Sequence, residues 1–112
     1  MPRFLALFLG SPDNQPAAPP DEQTIARGLA AWGGWMAEHA SAIVDTGGPL
    51  GKTKKASRAG LSNTRNNVAG YVIVEAPSHD AAVKLFDGHP HFTIFPGDSV
   101  EVMECLPIPG GT

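Results

Sequence analysis

His39 and Asp45 are the residues whose types and spacing best suit catalysis. An imidazole near neutral pH can take up and return a proton, and a carboxylate nearby can orient it for that task. His39 also continues an apolar stripe, so a core histidine satisfied by its neighbours is the other reading of the same position. Trp35 lies three residues after Trp32, which puts both on broadly one side of a helix, one in the core and one lining a cleft. Trp35 and Arg65 are the expected ligand contacts, with Arg65 gripping an anionic group.

Other reactive residues lack company. His79, His89 and His91 supply imidazoles, but a metal site needs three or four converging ligands, and no suitably spaced Cys or Glu accompanies them. No metal or other cofactor is expected. Cys105, the single cysteine, excludes an internal disulfide and reads as a small hydrophobe of the last strand. Phosphate-binding loops, dinucleotide glycine patterns and serine nucleophile elbows are missing from the chain.

Lys52, Lys54, Lys55, Arg58 and Arg65 form a basic cluster in a chain whose net charge is −3. A local cluster of this kind suits a small anionic organic ligand. The overall sign and the lack of interleaved aromatics argue against nucleic acid. No apolar run approaches the roughly 20 residues that cross a bilayer, so a soluble, cytoplasmic protein is expected.

The elements that must position these residues follow from periodicity. Arg3–Leu9 is apolar on both alternating faces and reads as a strand covered on both sides. Residues 10–20, rich in Pro, Gly, Asn and Asp, read as a loop. From Asp21 as N-cap, Ile25, Leu29, Trp32, Met36, His39 and Ile43 recur at helical spacing, so a helix running to Gly47-Gly48-Pro49 is expected. Gly33 and Gly34 in that helix would allow close backbone approach.

Leu50–Arg58 reads as a basic outer strand forming a hairpin with Tyr71–Glu75. Ser78 caps a second helix that buries Ala82, Val83, Leu85 and Phe86. Residues 87–98 read as a long connection and Val100–Leu106 as the last strand. Glu101 should face away from Val100 and Val102.

The order β-α-β-β-α-β predicts one α+β domain over residues 1–112. It should be ferredoxin-like, with an antiparallel sheet carrying two helices on one face. The other face would then expose the second side of an apolar strand, which soluble monomers rarely do. A homodimer joined through the sheet face is the expected cover.

Three stretches carry a family resemblance: WGGWMAEHASAIVDTGGPLGKTKKAS, NNVAGYVIVEAPSHDAAVKLFDGHPHF and DSVEVMECLPIPGG. Together they resemble the YCII-related and DGPF-like family. The resemblance implies a ferredoxin-like dimeric α+β barrel with a cleft between helix, sheet and dimer mate. It also implies acid–base chemistry by a His and Asp pair, although activity is undefined for most members. The family's histidine falls at Ala31 or Trp32 here, and Asp45 stands close to the expected acidic partner. The leading reading is a small-molecule-binding dimer with acid–base capacity; the runner-up is a structural or regulatory interaction protein.

Overall fold

Alternation along the first strand sets the architecture of the protein, a computed structural model that describes residues 1–10 and 20–109. In β1 (Arg3–Leu9), Phe4, Ala6 and Phe8 are buried, whereas Leu5, Leu7 and Leu9 on the opposite face are half-buried. β1 is central in a four-stranded antiparallel sheet of order β2-β5-β1-β6, with β2 at Ile43–Pro49, β5 at Val68–Glu75 and β6 at Ser99–Glu104. Helices α1 (Glu22–Glu38) and α2 (His79–Lys84) cover the face that buries Phe4, Val72 and Val74. This is the expected ferredoxin-like α+β fold. Glu101 faces away from Val100 and Val102, which pack against the core.

Helix caps follow the sequence. Asp21 accepts the Thr24 N–H at 2.8 Å, a bond that holds its carboxyl below the usual carboxylate range. Ser78 likewise accepts the Ala81 N–H at 3.1 Å.

Several element boundaries differ from expectation. Helix α1 stops at Glu38 with His39 as its C-cap, and Ile43, expected on the helical stripe, opens β2 and packs into the core. Ile43 keeps helical spacing after Met36, but Ile43 and Val44 are β-branched and pair better in a sheet. The inward side of α1 is rotated accordingly: Gly28 and Trp35 are buried, while Ile25 and Leu29 are exposed. Val83 of α2, expected inside, is also exposed, because the buried positions there are Ala82 within the helix and Phe86 just after it.

Leu50–Arg58 does not pair with Tyr71–Glu75. β3 (Thr53–Ser57) and β4 (Gly60–Thr64) form a separate two-stranded hairpin inserted between β2 and β5. The sheet partner of β5 on that side is β2, which the helical reading of Ile43 had hidden. Residues 87–98 contain a one-turn helix, α3 (Pro90–Thr93), with His89 as N-cap. Residues 11–19 of the expected loop and 110–112 of the expected tail lie outside the described residues.

Gly28, rather than Gly33 or Gly34, is the point of close approach on α1: a Cβ there would collide with the Phe95 ring. At Gly34 a Cβ would meet nothing within 4 Å. Gly34→Ala is therefore expected to raise stability by about 1 kcal/mol, since glycine disfavours a helix interior by that amount. Urea unfolding checks this, and a loss of stability would count against it.

Candidate functional site

A cleft of about 560 Å³ opens between the second half of α1, the margin of β2 and β5, and the α3 segment. Trp32, Trp35 and Met36 wall it from the helix, and Phe95 and His91 from the α3 side. The sheet margin contributes small residues, Gly47, Gly48 and Gly70 among them. No Lys, Arg, Asp or Glu is among its described lining residues.

The sheet margin is shaped by a local turn. Asp45 Oδ1 accepts the Gly47 N–H at 2.8 Å, and the β2–β5 register shifts on both sides of Asp45. Gly47 has φ +62°, and a Cβ on it would collide with the Tyr71 carbonyl. Only glycine lets β2 pass that close to β5.

His91 is buried and tied to β1, its Nε2 lying 2.8 Å from the Leu9 carbonyl oxygen. A carbonyl can only accept, so Nε2 carries the proton and Nδ1 of the neutral ring keeps a lone pair. Gly97 seats this ring, because a Cβ at Gly97 would collide with the imidazole. His91 is thus the one imidazole among the described lining residues, on a wall made mainly of aromatic, aliphatic and glycine residues.

Behind it lies His89, 0% exposed. Its Nδ1 accepts the His91 N–H at 3.0 Å, which leaves the proton of the neutral ring on Nε2. Nε2 is the one fully buried side-chain polar atom without a hydrogen-bond partner among the described residues. The ring stands edge-to-face with Trp32 at 4.5 Å and Trp35 at 4.7 Å. Indole faces are weak acceptors for such a buried N–H. Burial, with the nearby His91 and His39 adding repulsion, pushes the His89 pKa down to about 4.

The residues expected from sequence do not form one constellation. Trp35 lines the cleft and its Nε1–H donates to the Leu85 carbonyl at 2.7 Å. His39 is half-buried, its ring centroid 5.0 Å from that of Trp35, while the exposed Asp45 is engaged with Gly47. No hydrogen bond joins His39 and Asp45 among the described residues. Arg65 lies elsewhere, with Lys52 and Lys54 in a shallow concavity of about 530 Å³ at the hairpin.

His79 reaches the Val102 carbonyl through Nε2 at 2.8 Å and so links α2 to β6. Among the described residues no group of three or more His, Cys, Asp or Glu is placed to hold a metal ion. Cys105, expected to be buried, is exposed because β6 is an edge strand that ends one residue earlier. No helix among the described residues is long and apolar enough to cross a membrane.

No protein-family model matches this chain, and no curated protein matches it. Among solved structures, the chain is similar to 5-chloro-2-hydroxyhydroquinone dehydrochlorinase of Burkholderia phenoliruptrix AC1100, determined in complex with 2,5-dihydroxybenzoquinone. The match has a TM-score of 0.56 at 18% identity and covers 98% of this chain and 99% of that one. The likeness shows a shared fold over the full length of both.

Proposed function

We propose that this chain is a small-molecule-binding protein of the YCII-related, DGPF-like kind, whose cleft takes a compact, uncharged, planar molecule and offers it His91 as an acid–base group. The observation that carries this reading is the makeup of the cleft: aromatic side chains, a glycine-rich wall, one imidazole and no charged residue among its described lining. An apolar pocket with few polar groups is the usual form of a small-ligand site. Without a cation in the lining, an anion would lose its hydration and gain no counter-charge. The anionic ligand expected from the basic cluster therefore gives way to a neutral one. The similarly folded dehydrochlorinase, determined with 2,5-dihydroxybenzoquinone bound, supports the choice of a ring.

The same reading includes a homodimer joined through the open sheet face. Leu5, Leu7, Tyr71 and Ile73 are only half-buried there, and Met103 is 39% exposed. Burying such a patch against a second sheet is favourable by the hydrophobic effect.

Thermal-shift measurement tests the ligand class. Hydroquinone and catechol are expected to raise the melting temperature, and benzoate, a charged ring of similar size, is not. His91→Gln keeps a donor for the Leu9 carbonyl but removes the imidazole lone pair. It should weaken binding of the hydroxylated ring by on the order of tenfold, the worth of one hydrogen bond. Stabilisation by benzoate alone, or equal binding by the variant, would overturn the assignment.

A further inference from the structure

The β3–β4 hairpin contributes little to the fold that carries it. Among the described residues it has no substantial packing against another element, and Leu61 within it is 88% exposed. The radius of gyration, 15.9 Å, exceeds the roughly 13 Å of a compact chain of this length, in keeping with an arm that stands away from the sheet. A two-stranded hairpin alone is marginally stable in water, so an arm of this kind gains by lying against a surface.

Charge indicates which surface. Between Asp45 and Glu75 the chain has no acid, and it places there five of its eight lysines and arginines: Lys52, Lys54, Lys55, Arg58 and Arg65. The remainder carries three cations against eleven acids, a net charge of −8. Glu101 and Glu104 are exposed on β6 and Asp98 just before it, with Asp80 and Asp87 exposed on and just after the neighbouring α2. The arm leaves the sheet at its β2–β5 margin, whereas β6 is the opposite edge. The basic arm and the acidic edge thus stand on opposite sides of one copy.

We propose that the β3–β4 hairpin is an intermolecular arm that lies on the acidic β6–α2 edge of a second copy of this chain. Two-fold symmetry repeats the contact in both directions, so each copy gives and receives an arm and the assembly closes. Leu61 supplies an apolar anchor among charges that steer and register the encounter. A nucleic-acid partner is less suited, because the body's charge of −8 opposes phosphate and the hairpin has no aromatic side chain on which bases could stack. The proposal does not rest on the ligand reading of the cleft. Glu101, opposite Leu7, borders the open face as well, so the two interfaces are told apart by the hairpin's lysines on one side and Leu7 on the other.

The test is sedimentation equilibrium of the full chain at low, physiological and high salt. Reversing the arm with K52E/K54E/K55E alters exposed side chains and should leave the fold intact by circular dichroism. It should weaken self-association by on the order of tenfold or more and abolish the loss of affinity with salt. Reversing the edge with D87K/E104K, which leaves the open sheet face unaltered, should weaken it similarly. Mixing the two variants should restore association, while mixing the arm variant with E22K/E38K, of equal net charge, should not.

Unchanged self-association of the arm variant, a monomeric wild-type chain, or restoration by both mixtures would overturn the proposal. Salt-sensitive binding of duplex DNA by a chain that does not self-associate would overturn it in favour of nucleic acid. Leu7→Glu separates the two interfaces: if it alone disrupts the dimer the arm falls, and if only the arm reversal does so the open-face reading falls.

Discussion

Lowering the pH from 7 to 4 is expected to remove about 3 kcal/mol of folding stability through His89 alone. The folded-state pKa is about 4, against 6.5 for an ordinary histidine. Folding therefore favours the neutral ring, and the unfolded chain binds more protons between those values. This contribution is fully present above about pH 6.5, declines as the pH falls toward 4, and flattens below that; at roughly 1.4 kcal/mol per pH unit it amounts to about 3 kcal/mol. The cause is packing. The ring is enclosed by Phe8, Trp32, Trp35 and Phe86, and repulsion from His91 and His39 further opposes its charge.

Urea unfolding at stepped pH measures the slope. His89→Asn retains an acceptor for the His91 N–H but does not titrate, so its stability should be lower at pH 7 through lost packing and much less dependent on pH. An identical slope in the variant would show that other groups carry the acid sensitivity.

Gly47→Ala is expected to destabilise the fold by on the order of 3 kcal/mol and to distort the cleft. The residue has φ +62°, where a Cβ costs about 1–2 kcal/mol. The added carbon would also collide with the Tyr71 carbonyl, so β2 must separate from β5 and give up ladder hydrogen bonds. For a chain of this size the loss corresponds to a fall in melting temperature on the order of 10 °C. Gly48→Ala, one residue on, meets nothing within 4 Å and has an ordinary φ, so it should be close to neutral. Equal effects at the two positions would contradict this account of the sheet margin.

Much of the fold was legible because local and tertiary preferences agree. Alternation in RFLALFL and the β-branched run YVIVE mark the two central strands, and Asp21 and Ser78 mark helix starts by a side chain that accepts a backbone N–H. The end of α1 was misread because Ile43 keeps the helical spacing by coincidence, and periodicity cannot see the turn at Ala40–Ala42 that reverses the chain. The separate hairpin was hidden by its polarity. The basic strand at Leu50–Arg58 was read, but β4 is polar and exposed, so no hydrophobic pattern marked it as the partner of β3.

The cleft was less legible than the fold. One tryptophan was expected in the core and the other in a cleft, whereas both line it and Trp35 is buried as well; they meet His91 and the glycine margin through tertiary packing between segments far apart in the chain. His39 and Asp45 were paired on proximity in sequence, whereas the chain turns between them and places them on different elements. The signal available for the other histidines was His89-Pro90-His91 itself. Proline favours the first helical position, and a side chain just before it can cap the turn. Such a reading locates α3 without showing that its two imidazoles turn inward.

The chain's two tryptophans both line the cleft, so intrinsic fluorescence reports its occupancy directly. The most direct test of the central claim is a fluorescence titration of the purified protein with hydroquinone, run beside benzoate and corrected for absorbance by the ligand. A saturable change is expected with hydroquinone, weakened in His91→Gln, and no saturation with benzoate. A linear, non-saturating response to the uncharged ring in both proteins, or saturation by benzoate alone, would contradict it.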